Sequence, residues 1–462
     1  MTYTAAEIGR LIEPDRIHRD VFLDPEIFAL EMDLIFGRAW IYVGHESQIK
    51  DPGDYYTTKI GKQPIVMVRD NDGERIHVLH NRCGHKGAKV VGRECGNART
   101  FTCNYHGWSF RTDGSLRAIP LKRGYKGTDF DKEDPQFGMP QVARSASYRG
   151  FVFASLSKHG PDLKTFLGEA GTSIDNMVDR SPEGELEVAG GVMRYLHDCN
   201  WKAFVENLND MMHPMVVHQS VGDAAQDYIN TLPPGTPVPT EAEIINPFVA
   251  DHEWHDKTGI LAFQYGHSYD GVNYSIHSDY SEFPGYVEAM NATYGKKRAD
   301  QILANARHNT VYYPSLTIKG AIQTIRVVRP IAVNETIIET WSFRLKGAPD
   351  EMLQRTLLYS RLINSAASMV GPDDTEVYMR LQEGLETDNV AEWLDAHRYL
   401  GQDEPRTDSV YGLGTSDLDI RNQYKAWKEY MTADAPVRAA KGPRHPDADE
   451  PNHGHPHVPE YN

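Results

Sequence analysis

The chain has 462 residues, 40% of them hydrophobic, and a formal net charge of -17. That length suits two or three globular domains with a sizeable core, and the acidic balance argues against nucleic acid, whose phosphates call for a basic surface. Apolar runs fall short of the ~18 residues of a membrane span, residues 1–10 are polar rather than signal-like, and only four cysteines are present, so a disulfide framework is not expected and a reducing cytoplasm fits.

Residues 14–39 carry Phe22, Ile27, Leu30, Met32, Ile35 and Phe36 at roughly helical spacing, with Pro25 near a start. They predict a helical N-terminal segment, residues 1–39, that packs on the larger domain downstream. From Trp40 the pattern shortens to strands. Residues 65–69 and 76–79, joined by Asn71-Asp72-Gly73-Glu74, predict a hairpin leading into Cys83. Residues 108–111 and 116–119, around Thr112-Asp113-Gly114-Ser115, predict a second, so that each of two ligand pairs sits at a hairpin tip, and residues 151–156 a closing strand. Residues 40–157 therefore read as a small all-β domain.

That domain contains Cys83-Gly84-His85 and, after seventeen intervening residues, Cys103-Asn104-Tyr105-His106. Two thiolates and two imidazoles in C-x-H and C-x-x-H pairs are the ligand set of a Rieske [2Fe-2S] cluster, with Cys83 and Cys103 on one iron and His85 and His106 on the other. Zinc also takes two Cys and two His, but zinc fingers space them as C-x2-4-C and H-x3-5-H. Cys95, between the pairs, suits a reserve ligand or, more simply, a buried or loop thiol.

Residues 158–438 mix helices with long strands and predict an α+β domain with an antiparallel sheet. A strand is expected over 192–196, a helix over 201–213, paired strands over 316–328 and 336–344, and helices over 352–363, 376–385 and 418–431. The tail, residues 439–462, is rich in Pro, His and charge and reads as an extended or disordered end; its His445, His453, His455 and His457 could chelate metal loosely, but no apolar residues would fix their geometry.

Within residues 206–218 the spacing D-x-x-H-x4-H sets Asp210 and His213 on one helix face, with His218 five residues beyond His213. Pro214 is expected to kink or end the helix after His213 and let the two imidazoles converge. A carboxylate would complete a facial triad for non-haem Fe(II), leaving positions open for O2 and substrate. Asp374 is the candidate, although Asp373-Asp374 also suits the start of a helix.

Over roughly residues 36–385, these motifs, the Asn200-Trp201-Lys202 entry and the late Asp-Asp pair resemble the large (alpha) subunit of Rieske non-haem iron aromatic-ring-hydroxylating oxygenases. The resemblance implies a helix-grip catalytic domain, assigns His213, His218 and Asp374 to iron, and makes Asp210 the bridge between its own His213 and His106 of a neighbouring subunit. It further implies a ring of three alpha subunits, with a small beta subunit expected from the chain length. Electrons would come from NAD(P)H through a separate flavin reductase, often with a ferredoxin, to cis-dihydroxylate an aromatic ring with O2. Related enzymes monohydroxylate or demethylate instead, and a pure electron carrier would use only the Rieske domain.

By the same resemblance, residues 309–319, including Ser315, line the substrate pocket, and hydrocarbon-oxidising members commonly carry leucine where this chain has Lys319. A lysine facing an apolar pocket is costly unless paired, so an aromatic acid is the expected substrate; the alternative is a lysine that reaches solvent or a nearby carboxylate. Phe204 and Met211 surround the metal-binding segment and suit either pocket wall or core.

Overall fold

The computed structural model describes residues 3–273, 280 and 282–433; the tail histidines lie outside them. Around the cysteine pairs, a four-stranded sheet runs in the order Ile76–His80, Gln63–Arg69, Asp54–Ile60, Cys95–Asn97, and a three-stranded one in the order Leu116–Ala118, Ser109–Phe110, Phe101–Thr102. A third sheet joins Arg144–Tyr148, Phe151–Ser155 and Ile41–His45. The hairpin Gln63–Arg69/Ile76–His80 and the turn at Thr112–Ser115 follow the sequence expectation. The hairpin-tip rule holds for one ligand pair only. Cys103 and His106 lie in the loop between the antiparallel neighbours Phe101–Thr102 and Ser109–Phe110. Cys83 and His85 lie instead in a crossover between the two outer strands of the four-stranded sheet, because Cys95–Asn97 pairs with Asp54–Ile60 and not with Ile76–His80. The buried residues around these loops form their own apolar cluster, built on Val66, Leu79, Phe101, Trp108, Phe110 and Met139.

The larger part of the chain is built on nine antiparallel strands, from the edge strand Leu186–His197 through Glu335–Leu345, Thr324–Ala332, Leu316–Lys319 and Thr310–Tyr312 to Glu404–Pro405 at the far edge. With helices packed on this sheet, the fold is α+β, as the sequence implied. The expected strand over 316–328 is two strands: Leu316–Lys319 turns back through Gly320–Ile322 and pairs antiparallel with Thr324–Ala332. Among the described residues, no helix is long and apolar enough to cross a membrane.

The N-terminal segment is only partly helical. Arg16–His18 pairs with Trp393–Asp395 as a strand, and the helix Pro25–Leu34 follows, with the Asp24 carboxylate accepting from Glu26 N at 2.7 Å and Pro25 in its first turn. A proline whose missing N–H would have no helical partner anyway suits that place. This helix carries Glu31, fully buried, whose carboxylate accepts from Lys202 Nζ at 2.6 Å, Trp201 Nε1 at 2.8 Å and Trp427 Nε1 at 2.7 Å. A buried charge persists only with its hydrogen-bonding capacity filled, and here the three donors tie the N-terminal helix to the helices Trp201–Asn207 and Leu418–Thr432. Asn200 caps the first of these: its side chain accepts from Lys202 N at 3.2 Å and donates to Phe22 O at 3.0 Å and Val333 O at 2.8 Å. The start of the metal-binding segment is thereby fixed from three directions.

The helix beginning at Trp201 ends at Asn207, not at His213. Pro214 acts as the first residue of a new short helix, Pro214–Val217, rather than as the stop of the old one, so the bend falls over residues 208–213. On the opposite side of the site, the helix Asp350–Tyr359 runs into a π-turn, Ser360–Asn364, before Gly371–Leu385 begins with Asp373 and Asp374 in its first turn.

Candidate metal centres and substrate chamber

The two cysteine loops are built alike. Cys83 N donates to Ala88 O and Cys83 O accepts from Gly87 N; Cys103 N donates to Trp108 O and Cys103 O accepts from Gly107 N. Gly87 and Gly107 have φ of 79° and 72°, a left-handed conformation that suits glycine. Each loop thus turns tightly enough to present two side chains on one side. The Cys83 and Cys103 side chains are buried and outside any disulfide. Burial pushes the Cys83 thiol up, and the adjoining Cys103 adds to it, although the amides of His85 and Lys86 work against the rise. Two buried thiols side by side need a cation before both can ionise. The imidazoles of His85 and His106 stand with ring centres 4.7 Å apart, and His85 Nδ1 is buried without a protein partner, an atom left for a metal. The donor set fits a [2Fe-2S] cluster. Trp108, which the sequence reading passed over, stacks on His85 at 4.7 Å and 7°, and Tyr105 is 66% exposed beside His106.

The second centre gathers groups distant in sequence. Ligand atoms of His213, His218 and Asp374 lie within 4.8 Å of one another. Asp374 Oδ1 is 3.7 Å from His213 Nε2 and 3.3 Å from His218 Nε2. Behind His213 stands Asp210, with Oδ2 3.7 Å from Nδ1; behind His218 stands Asp373, with Oδ2 3.3 Å from Nδ1. Burial works against charge on His218, but bonds to Asp374 and then Asp373 outweigh it and raise its pKa. Asp374 is held below its ordinary range, since His218 and His213 outweigh its own burial. Two imidazoles, each backed by a carboxylate, and a third carboxylate opposite suit a facial triad for Fe(II). Asn207 also belongs here: its Nδ2 lies 3.0 Å from His213 Nε2 and 3.3 Å from Asp374 Oδ1. Neither Asn207 nor the backing role of Asp373 was legible, because both depend on how the bend over residues 208–213 turns. Asp210 also accepts from Met212 N at 2.8 Å and Arg398 at 3.4 Å, which together with His213 keep it ionised despite burial.

Beside the triad is a chamber of about 80 Å³, lined in part by Met211, Phe248, His308, Lys319, Ile363 and Val370. Lys319 is 8% exposed, so it does not reach solvent. Its Nζ donates to Tyr359 Oη at 2.6 Å and lies 3.1 Å from His308 Nε2, and among the described residues no carboxylate oxygen stands within ion-pair distance. Burial, and next the Arg326 guanidinium, push the lysine well below its ordinary range. Phe204 lies under Arg326, 5.4 Å away, and lines an adjoining chamber instead. Ser315 lines neither: it is buried in the turn after Thr310–Tyr312, its N donating to Tyr312 O and its O accepting from Val328 N.

Residues 39–129 match the family model of the Rieske [2Fe-2S] domain, and residues 185–432 that of the ring hydroxylating alpha subunit (catalytic domain). The chain is 35% identical over 387 residues to the toluate 1,2-dioxygenase subunit alpha of Pseudomonas putida, covering 82% of each chain. It is 35% identical over 398 residues to the anthranilate 1,2-dioxygenase large subunit of Acinetobacter baylyi, covering 83% of this chain and 80% of that one. A structure of naphthalene 1,2-dioxygenase with indole in the active site superposes with a TM-score of 0.75 and 25% identity, covering 92% and 94% of the two chains.

Proposed function

The chain belongs to the ring-hydroxylating dioxygenase alpha subunits, and from that premise we propose that it cis-dihydroxylates the ring of an aromatic carboxylic acid, with Lys319 receiving the carboxylate. As a member of that family it is an oxidoreductase with a Rieske cluster and a mononuclear iron, the terminal component served by separate electron-transfer partners. Cys83, His85, Cys103 and His106 would hold the cluster; His213, His218 and Asp374 would hold the single iron, which supplies O2 activation when bound.

The observation that carries the substrate assignment is a buried lysine with no carboxylate oxygen within ion-pair distance among the described residues, Asp270 and Asp374 acting on it only from farther away. Tyr359 and His308 can orient Lys319 Nζ but cannot neutralise it, so an anionic substrate fits the remaining direction. The apolar walls given by Met211, Phe248, Ile363 and Val370 suit the ring. Toluate and anthranilate, in the names of the two relatives, are themselves aromatic acids.

In the same reading, Asp210 bridges its own His213 to His106 of a neighbouring copy, three alpha subunits close a ring, a small beta subunit completes the assembly, and a ferredoxin or flavin reductase delivers electrons in the cytoplasm. Turnover of benzoates, salicylates, phthalates and arylacetates with a surrogate reductase, set against an uncharged hydrocarbon panel, tests the substrate class. Oxidation of hydrocarbons alone would refute it.

A further inference from the structure

Asp374 borders two chambers. Besides the one beside the triad, a larger one of about 250 Å³ opens between the edge strand Leu186–His197 and the helix Gly371–Leu385. Arg326, Ile363 and Asp374 belong to both linings, so the chambers adjoin at the candidate iron ligand. Two polar side chains in the larger chamber have no use in the site described so far. His197 is 4% exposed, with neither ring nitrogen bonded to protein, and Tyr378 is 3% exposed with its hydroxyl likewise unpartnered. Packing alone holds the imidazole: it stacks between Tyr195 at 5.6 Å and Tyr378 at 5.7 Å and meets the edge of Phe204 at 5.6 Å.

Buried polar atoms left dry cost about 1–3 kcal/mol each, and those without protein partners are commonly served by ordered water. A water needs only ~10–15 Å³ and two or more polar neighbours, so this chamber has room for several. Burial pushes His197 down to about 4, leaving a neutral ring near pH 7. One nitrogen then donates and the other accepts, as does a tyrosine hydroxyl, which is what a chain of water molecules requires. Asp198 and Glu376, both exposed, also line the chamber and mark its mouth.

Ring dihydroxylation needs such a route. One arene, one O2, two electrons and two protons give one cis-dihydrodiol: the O–O bond and one ring π bond break, two C–O bonds form, and each oxygen ends with one proton. The electrons come from the external donor; the protons must come from solvent. The triad chamber, at about 80 Å³, is the smaller of the two, and an aromatic substrate seated beside the iron would fill it.

We propose that the larger chamber is the proton inlet of the enzyme: water held by His197 and Tyr378 carries solvent protons from the mouth at Asp198 and Glu376 to the Asp374 side of the iron site. His197 and Tyr378 are positioning residues here, acting through the water they hold. The inference rests on the family's reaction and not on the choice of an acid as substrate.

The test uses holoenzyme. Crystals should show ordered water bonded to His197 and to the Tyr378 hydroxyl. His197→Phe keeps the aromatic stack, Tyr378→Phe keeps the ring, and the double variant should retain the Rieske spectrum and the iron content. In single turnover of pre-reduced enzyme with benzoate, or with toluene should acids not be accepted, the double variant should form product about tenfold more slowly. It should also show a larger H2O/D2O isotope effect and divert electrons to hydrogen peroxide, while His197→Gln, which restores a donor and an acceptor, recovers most of the rate. Should the double variant fail to fold, Tyr378→Phe alone should still slow product formation with a raised isotope effect. A chamber found dry or filled by substrate, or variants with wild-type rate and isotope effect, would overturn the proposal.

Discussion

Replacing Lys319 by methionine separates the acid-binding role of this side chain from any structural one. Methionine matches the length of the lysine stem and removes only the ammonium. A charge-assisted hydrogen bond contributes about 1.5–3 kcal/mol, and a carboxylate left facing Met211 and Phe248 without a cation also keeps part of its desolvation cost. A loss of about 3 kcal/mol in kcat/KM for benzoate corresponds to more than about a hundredfold. Toluene, which has no charge to place, should be used as well as before or better. In the parent enzyme the pH dependence has a definite sign. The carboxylate needs the ammonium, and the folded pKa of Lys319 is depressed by burial and by Arg326. Acid affinity is therefore full below that depressed value and falls as pH rises through it, earlier than an ordinary lysine near ~10.4 would allow. Between the depressed value and the unfolded one, the unfolded chain binds the extra proton, so substrate-free stability rises with pH across that window. Lys319→Met should abolish both dependences and raise the neutral-pH Tm. Steady-state kinetics on the acid and hydrocarbon pair, with thermal melts across pH, decide the matter. Parallel losses for benzoate and toluene, or an unchanged pH profile of benzoate binding, would refute the reasoning.

Further outcomes follow from the same geometry. Glu31→Gln or Lys202→Met, each leaving a partner buried alone, should cost about 3–5 kcal/mol in urea unfolding, whereas changing both together should cost much less. Asp373→Asn removes the charge behind His218 and should weaken ferrous-ion binding by about 10- to 100-fold in chelator competition, with the Rieske spectrum untouched. His213→Ala should lower the iron content from about three to about two per chain and leave the cluster in place.

What the sequence made legible depends on distance along the chain. Cys83, His85, Cys103 and His106 form two short pairs in turns closed by Gly87 and Gly107, so spacing alone identifies them. Asp374 lies far from His218 in sequence and reaches it only through the packing of Gly371–Leu385 against Trp201–Asn207, and neither periodicity nor capping distinguishes it from Asp373. Pro214 misled in detail, since a proline at the first turn of a helix and one ending a helix read alike in sequence. Ser315 lies in the turn after Thr310–Tyr312 and outside both chamber linings, a placement that the order of residues 309–319 does not reveal. His197 and Tyr378 carried no signal: a lone histidine and a lone tyrosine in apolar stretches look like core until their unpartnered atoms are seen facing one cavity.

The most direct test of two cooperating iron centres is single-turnover reoxidation. The cluster is reduced chemically, the donor removed, and O2 added with benzoate while the Rieske electron-paramagnetic-resonance signal and the product are followed together. The expected result is that the native enzyme loses the signal as diol forms, while a variant with both His213 and His218 changed to alanine keeps its cluster reduced and forms none. Loss of the signal with product at the native rate in that variant would contradict the account.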